Sequence, residues 1–299
     1  MTPQVLLQLN LVSTGLLLGL MYSLVAMSLA IIFKTTKVVN FSQGMLAALG
    51  AYLLLLYSGQ LGLNPAIGAP LSLLSGVALA LLVERVILRR FIGEPILSLI
   101  IVTLSLASLL RGIVMIGWGT NFFPVPRIFG SPALRVEGFS IPLEYAVGAA
   151  IAISYMVALA FFYKRFVMGA ALRAVSEDHM AATAMGISVK TAQAFAWVLG
   201  IVSSMVGGML LASHIGGVGL SLEYLGFIAL PAVILGGLDS IPGAVVGGIF
   251  VGLAEVYSTY YLDEVFGGGF SKVFPLIVML LIMLVRPYGL WGTERIERV

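Results

Sequence analysis

Few residues in this sequence can do chemistry, and their spacing argues against most of it. The 299 residues include two histidines, thirteen Asp and Glu, and no cysteine. His179 and His214 fall in different loops with no HExxH arrangement, so no metal site is expected. The missing thiols exclude disulfides and Cys-based metal centres. Asp239 has no second carboxylate near it in sequence, which leaves an intramembrane aspartyl protease without its pair. No GxSxG stretch offers a nucleophile elbow. No glycine is followed by lysine, so the loop that cradles nucleotide phosphates is absent. The expectation is a chain with no catalytic residues and no cofactor of its own. An ATP-driven step would take its ATP on another subunit.

The remaining polar groups lie beside or within apolar runs, where they are costly unless paired or functional. Asn40, Ser42 and Gln43 open one such run. They either line a polar path or cap the helix that follows, and the residue types suit both. Glu223 opens a short apolar run and is the fourth candidate for a path, although a carboxylate at the end of a span also meets water in the ordinary way. Glu255 is read as facing water. Arg111 stands about six residues from the end of its run, close enough for its side chain to snorkel to the interface. This set is too sparse for a proton relay or voltage sensor. It suits a conduit lined by small and apolar residues.

One stretch has a different character. Arg173–Val189, RAVSEDHMAATAMGISV, is polar and patterned as a surface helix. Ser176 is expected to cap it. Glu177 and Asp178 follow in the first turn, where negative charge suits the helix dipole. Gly186 is expected to end it by taking the left-handed conformation. A helix over Ser176–Met185 would be about 15 Å long, too short to cross a bilayer, which takes about 20 apolar residues. It is either a solvated loop helix or a docking helix for a cytosolic partner.

The rest of the chain must position these groups. Its composition is 60% hydrophobic and 10% charged, against about 25% charged in soluble domains, so the chain is read as an all-α polytopic membrane protein. No basic run interleaved with aromatics points to nucleic acid. The N-terminus lacks a basic region before the first apolar run, so that run is read as a retained span rather than a cleaved signal. Spans are expected over 6–33, 40–57, 66–88, 96–117, 143–163, 191–213, 222–235, 244–261 and 273–285. The second and seventh are short enough to be half-helices, so the count is eight or nine, with seven as the lower bound. Gly15/Gly19, Gly243/Gly247 and Gly248/Gly252 have the GxxxG spacing that lets helices approach closely in lipid. The Pro- and Gly-rich stretch 118–142 is expected to be an ordered loop outside the membrane. No solenoid or propeller repeat is visible.

Orientation follows from Lys and Arg in short loops. One set of loops, including 164–190 and 286–299, carries twelve, and the opposite set carries three. This predicts the N-terminus outside, the C-terminus inside, and the 164–190 loop with its short helix in the cytoplasm.

Four separated stretches, GLMYSLVAMSLAIIFKTTKVVNFSQGMLAALGAY, RAVSEDHMAATAMGIS, ILGGLDSIPGAVVGG and RPYGLWG, together resemble the permease subunit of bacterial ABC importers of the branched-chain amino-acid type. The resemblance spans most of the chain and implies a single permease domain over 1–299, multi-pass in the inner membrane. It implies a second related permease, two cytosolic ATPases binding ATP and Mg, and an extracytoplasmic substrate-binding protein. The substrate it implies is leucine, isoleucine or valine; urea, short amides or other amino and organic acids are the alternative, and a stand-alone secondary transporter is a further one. It also implies a role for the short helix. ABC permeases carry an EAAxxxG coupling loop, and MAATAMG aligns with it. Ala181, Ala182 and Gly186 match, while Met180 stands where the glutamate would be. Arg173, Glu177 and Asp178 precede it and complete the implied ATPase contact.

Overall fold

The computed structural model describes residues 2–126, 133–136 and 139–292. The expected loop residues Arg127, Gly130, Pro132 and Gly138, and the tail residues Arg295 and Arg298 used in the charge count, lie outside the described residues.

Twelve helices follow in order among the described residues. They are α1 (Pro3–Thr36), α2 (Gln43–Leu54), α3 (Pro65–Val86), α4 (Ile96–Trp118), α5 (Leu143–Arg165), α6 (Val167–Glu177), α7 (His179–Ala184), α8 (Val189–Ile215), α9 (Leu225–Gly236), α10 (Ile241–Tyr261), α11 (Asp263–Phe266) and α12 (Phe270–Val285). A π-helical turn, Leu55–Gln60, extends α2, and a 3-10 turn, Leu220–Tyr224, leads into α9. The segment expected to be an ordered loop carries short strands. β1 (Phe123–Pro124) pairs antiparallel with β4 (Gly217–Val218), and β2 (Ala133–Val136) pairs with β3 (Phe139–Pro142). Proline is confined to strand ends and edges here, as its missing N–H requires.

Six of the described helices are long and apolar enough to cross a membrane: α1, α3, α4, α5, α8 and α10. Backbone groups in a helix interior are satisfied within the helix, which is the condition for standing in lipid. α9 and α12 are apolar but shorter. α1 and α8 form the centre, with 72% and 78% of their apolar windows buried, against 28% for α3 and α4 and 22% for α5. The outer helices expose large side chains, including Leu74, Ile116 and Val157. A water-facing surface of that kind would be an aggregation hazard; facing lipid it costs nothing. Trp197, Tyr52, Leu24, Ile31 and Leu46 lie in the core.

Glycines let the central backbones touch. A Cβ on Gly19 would lie 2.5 Å from Ile249 Cα, and one on Gly15 would lie 2.9 Å from the Leu253 side chain. From the other side, Gly252 abuts Gly19 and Gly15, and Gly248 abuts Ser23. Gly243 and Gly247 face elsewhere, against Gly236 and Ala232 of α9. Thus α10 uses two glycine pairs on two faces, one for α1 and one for α9.

The bundle has two distinct ends. One gathers Lys37, Arg85, Arg89, Lys190 and the short helices α6 and α7: Lys37 Nζ donates to Ser176 O, and Glu84, Arg85, Arg89 and Thr191 line one recess. The other carries the β1–β4 pair and the α10–α12 turn, where Asp263 accepts from Ser271 N at 2.8 Å. Lys272 lies at this second end.

Candidate functional site

The polar run before α2 is placed deep in the bundle. Asn40, Ser42 and Gln43 are 2%, 0% and 1% exposed. Asn40 Oδ1 accepts from Ser42 N and Ser42 Oγ at 3.0 and 2.7 Å, a local turn that launches the helix. Asn40 Nδ2 donates to Gln43 Oε1. Gln43 Nε2 donates to Ser28 Oγ on α1 and to Gly200 O on α8, while its own carbonyl accepts from Ser204. So α2 begins beside the last third of α1 and the middle of α8. Ser42 and Gln43 are consumed in turn formation and helix-to-helix ties. A buried amide with its partners in place pins three helices in one register, because leaving any of them unpaired costs about 1–3 kcal/mol.

Arg111 and Glu223, read separately from sequence as an interfacial arginine and a water-facing carboxylate, are a pair. Arg111 Nε donates to Glu223 Oε2 at 3.0 Å, and its Nη2 donates to Oε1. This fork-to-carboxylate geometry is the strong form of ion pair. Arg111 therefore has a specific carboxylate partner, which the sequence reading did not give it, while its side chain remains half exposed. Glu255, read as facing water, is half-buried in α10, with Tyr22 of α1 and Lys272 nearby.

Two cavities meet at Glu223. The larger, about 500 Å³, is lined by Tyr22, Leu211, Ile215, Glu223, Tyr224, Phe227, Ile228 and Lys272, among others. The smaller, about 290 Å³, is lined by Leu29, Asn40, Phe41, Ser108, Arg111, Glu223, Phe227 and Leu230, among others. Of the four residues read as a polar path, Asn40 and Glu223 line a common cavity. Lys272 and Tyr22 were not singled out from sequence. No local pattern marks them, since the cavity is assembled from α1, α8, α9 and α12.

At the basic end, the expected helix over Ser176–Met185 is instead two helices. Ser176 lies inside α6 and its hydroxyl donates to Arg173 O, so it caps nothing. Glu177 ends α6. Asp178 breaks the chain into extended geometry and is itself the cap of α7: its Oδ1 accepts from Met180 N and Ala181 N at 2.7 and 3.0 Å. Those two N–H groups hold its carboxyl below the usual carboxylate range. An aspartate is as good a cap as serine, and the extra break arises because α6 already occupies 167–177. Gly186 turns the chain with φ 79°. Ala182 is buried, whereas Arg173, Glu177, Ala181 and Gly186 are exposed and Met180 and Met185 are 84% and 82% exposed. Among the described residues, no group of three or more His, Asp or Glu side chains is placed to hold a metal ion.

A family model described as branched-chain amino acid transport system / permease component matches residues 11–284. The chain is 28% identical over its whole length, and over the whole of the relative, to the high-affinity branched-chain amino acid transport system permease protein LivH of Escherichia coli. It is 26% identical to the corresponding protein BraD of Pseudomonas aeruginosa, across 99% of this chain and all of that one. It is 29% identical to the probable branched-chain amino acid transport permease protein LivH of Methanocaldococcus jannaschii, across 91% and 88% of the two chains. A solved structure, PsaBC from Streptococcus pneumoniae in complex with Fab, aligns over 92% of this chain and 91% of that one, with TM-score 0.50 and 16% identity, a likeness of fold alone.

Proposed function

This chain belongs to the branched-chain amino acid transport permease family, and from that premise we propose that it is the membrane-spanning permease subunit of an ATP-driven importer of leucine, isoleucine and valine. The observation that carries the reading is the family match, which runs through every long helix from α1 to α10 and on into α12. In this reading ATP binds on partner subunits, which the lack of any Gly-Lys pair in this sequence supports. The working complex in this reading holds a second related permease, two cytosolic ATPases carrying ATP and Mg, and an extracytoplasmic binding protein that delivers the substrate.

In this reading the basic end faces the cytoplasm, following the Lys and Arg bias, with the N-terminus outside and the C-terminus inside. Counting α2 and α9 as passes gives nine; treating them as half-helices gives fewer. Met180 of α7, standing where other permeases carry a glutamate, and Met185 just after the helix supply adaptable apolar contact for an ATPase groove. Arg173, Glu177 and Asp178 supply the charged margin. Closure of the ATPases displaces α6 and α7, and α1 and α8 move with them. Uptake then alternates between the two faces of the membrane.

The test is purification of the chain in mild detergent from its native membrane, with mass spectrometry of its companions. A second permease and P-loop ATPases are expected. Recovery of the chain alone, under conditions that keep other importers intact, would overturn the reading in favour of a stand-alone transporter.

A further inference from the structure

The Arg111–Glu223 pair stands where the two cavities meet, and the cations around it are distributed unequally. Glu223 and Phe227 line both cavities. Arg111 lines only the smaller, and Lys272 only the larger. One carboxylate therefore serves two compartments, each with its own cation. We propose that Glu223 is a pivot that binds the ammonium group of a zwitterionic amino acid, while the carboxylate of that amino acid passes from Lys272 in the larger cavity to Arg111 in the smaller. The proposal rests on the transport reading above and deepens it by assigning a recognition site within the permease.

The chemistry fits an α-amino acid for three reasons. A carboxylate offers about four lone-pair positions, and the Arg111 fork uses two of them. An ammonium can thus join Glu223 from the larger cavity before the ion pair opens. Second, exchange of the ion pair for a zwitterion conserves charge pairing. Ammonium lies on Glu223 and carboxylate on Arg111, so both protein groups keep a charged partner. A lone cation or anion of the same size satisfies one partner and leaves the other without its charge-assisted contact. Third, Leu211, Ile215, Leu225 and Ile228 line the larger cavity and give an aliphatic side chain an apolar wall. The pair is partly accessible, with the Arg111 and Glu223 side chains 52% and 25% exposed, so it can exchange partners without unfolding its surroundings.

The experiment uses the whole complex, with its second permease, ATPases and binding protein, reconstituted in proteoliposomes and assayed for uptake of L-leucine alongside ATP hydrolysis. Glu223→Gln, Arg111→Gln and Lys272→Gln are each expected to lower uptake by about tenfold, the loss of one charge-assisted contact. Lys272→Arg is expected to keep most of it, because charge is what Lys272 supplies, whereas Arg111→Lys keeps the charge but loses the two-pronged fork and is expected to fall between wild type and Arg111→Gln. Complex assembly is scored by co-purification. Lys272, exposed at the start of α12, provides a variant that does not disturb packing if Glu223→Gln fails to assemble. Wild-type uptake in Lys272→Gln or Glu223→Gln would overturn the pivot, as would equal losses in the neutral and the charge-preserving variants. A wild-type complex that hydrolyses ATP yet carries no aliphatic amino acid would instead overturn the transport reading itself.

Discussion

His179 on α7 reaches the last turn of α1: its Nε2 lies 3.1 Å from the carbonyl oxygen of Thr35. The same oxygen accepts from Gln193 Nε2 on α8 at 3.2 Å. Thr35 itself is fully buried. One carbonyl at a helix C-terminus, where backbone acceptors lack helical partners, therefore joins the short exposed helix to both central helices of the bundle.

Removing that tie should loosen coupling without unfolding the protein. His179→Ala is expected to lower leucine uptake per ATP hydrolysed by about threefold, the effect of one ordinary hydrogen bond, while His179→Gln, which can still donate, stays near wild type. The check is the ratio of uptake to phosphate release in proteoliposomes. An unchanged ratio in His179→Ala would show that the contact transmits nothing.

The cap of α7 carries a pH dependence with a definite sign. The Ala181 and Met180 N–H groups lower the Asp178 pKa in the folded protein. Its stabilisation is therefore fully present above the ordinary carboxylate range and is lost as pH falls through the folded value. α7 should fray on acidification below that range and be indifferent to pH near neutrality. Asp178→Ala should fray at all pH values, and Asp178→Asn, which keeps a capping oxygen, should fray little. Hydrogen exchange of the Met180 and Ala181 amides reads this directly.

Met180 and Met185 touch little within the chain, at 84% and 82% exposed, so their contribution should appear only in the assembled transporter. Replacing both by serine is expected to leave thermal unfolding of the permease unchanged and to weaken ATPase retention by about tenfold or more, as for anchors at the centre of an interface. Equal retention on a co-purification assay would locate the ATPase contact elsewhere.

The glycine contacts between α1 and α10 should be intolerant of volume. A side chain at Gly19 meets the Ile249 backbone, with its carbonyl oxygen 2.9 Å from the new Cβ. Gly19→Val is expected to cost about 1–3 kcal/mol or more from overpacking, seen as a lower unfolding temperature in detergent. Gly117→Ala in α4 is the control, since its Cβ would meet nothing within 4 Å. Equal stability of the two variants would mean that the helices separate freely.

Much of this architecture was legible in the residues. The long apolar runs became α1, α3, α4, α5, α8 and α10 because lipid spans need little more than length and hydropathy. The ends shifted by a few residues, as at Val189–Ile215 against 191–213. The short run at 222–235 became α9, preceded by a 3-10 turn. Gly186 turned the chain where a glycine was expected, because φ 79° is a local requirement that a single residue type answers. Ser176 was misread because a capping residue is recognised only relative to where its helix starts, and α6 had already begun at Val167.

What the sequence determined by itself is thus the class of protein, its long spans, its basic end and the lack of a nucleotide loop, all of which depend on composition and on neighbours along the chain. What only the tertiary structure decided is which polar groups face one another. Arg111 and Glu223 stand 112 residues apart, and Gln43 reaches Gly200 across 157. A charge or amide on a packed helix has no periodicity to announce its partner, and the partner is fixed only when packing of the apolar helices brings the two to one depth.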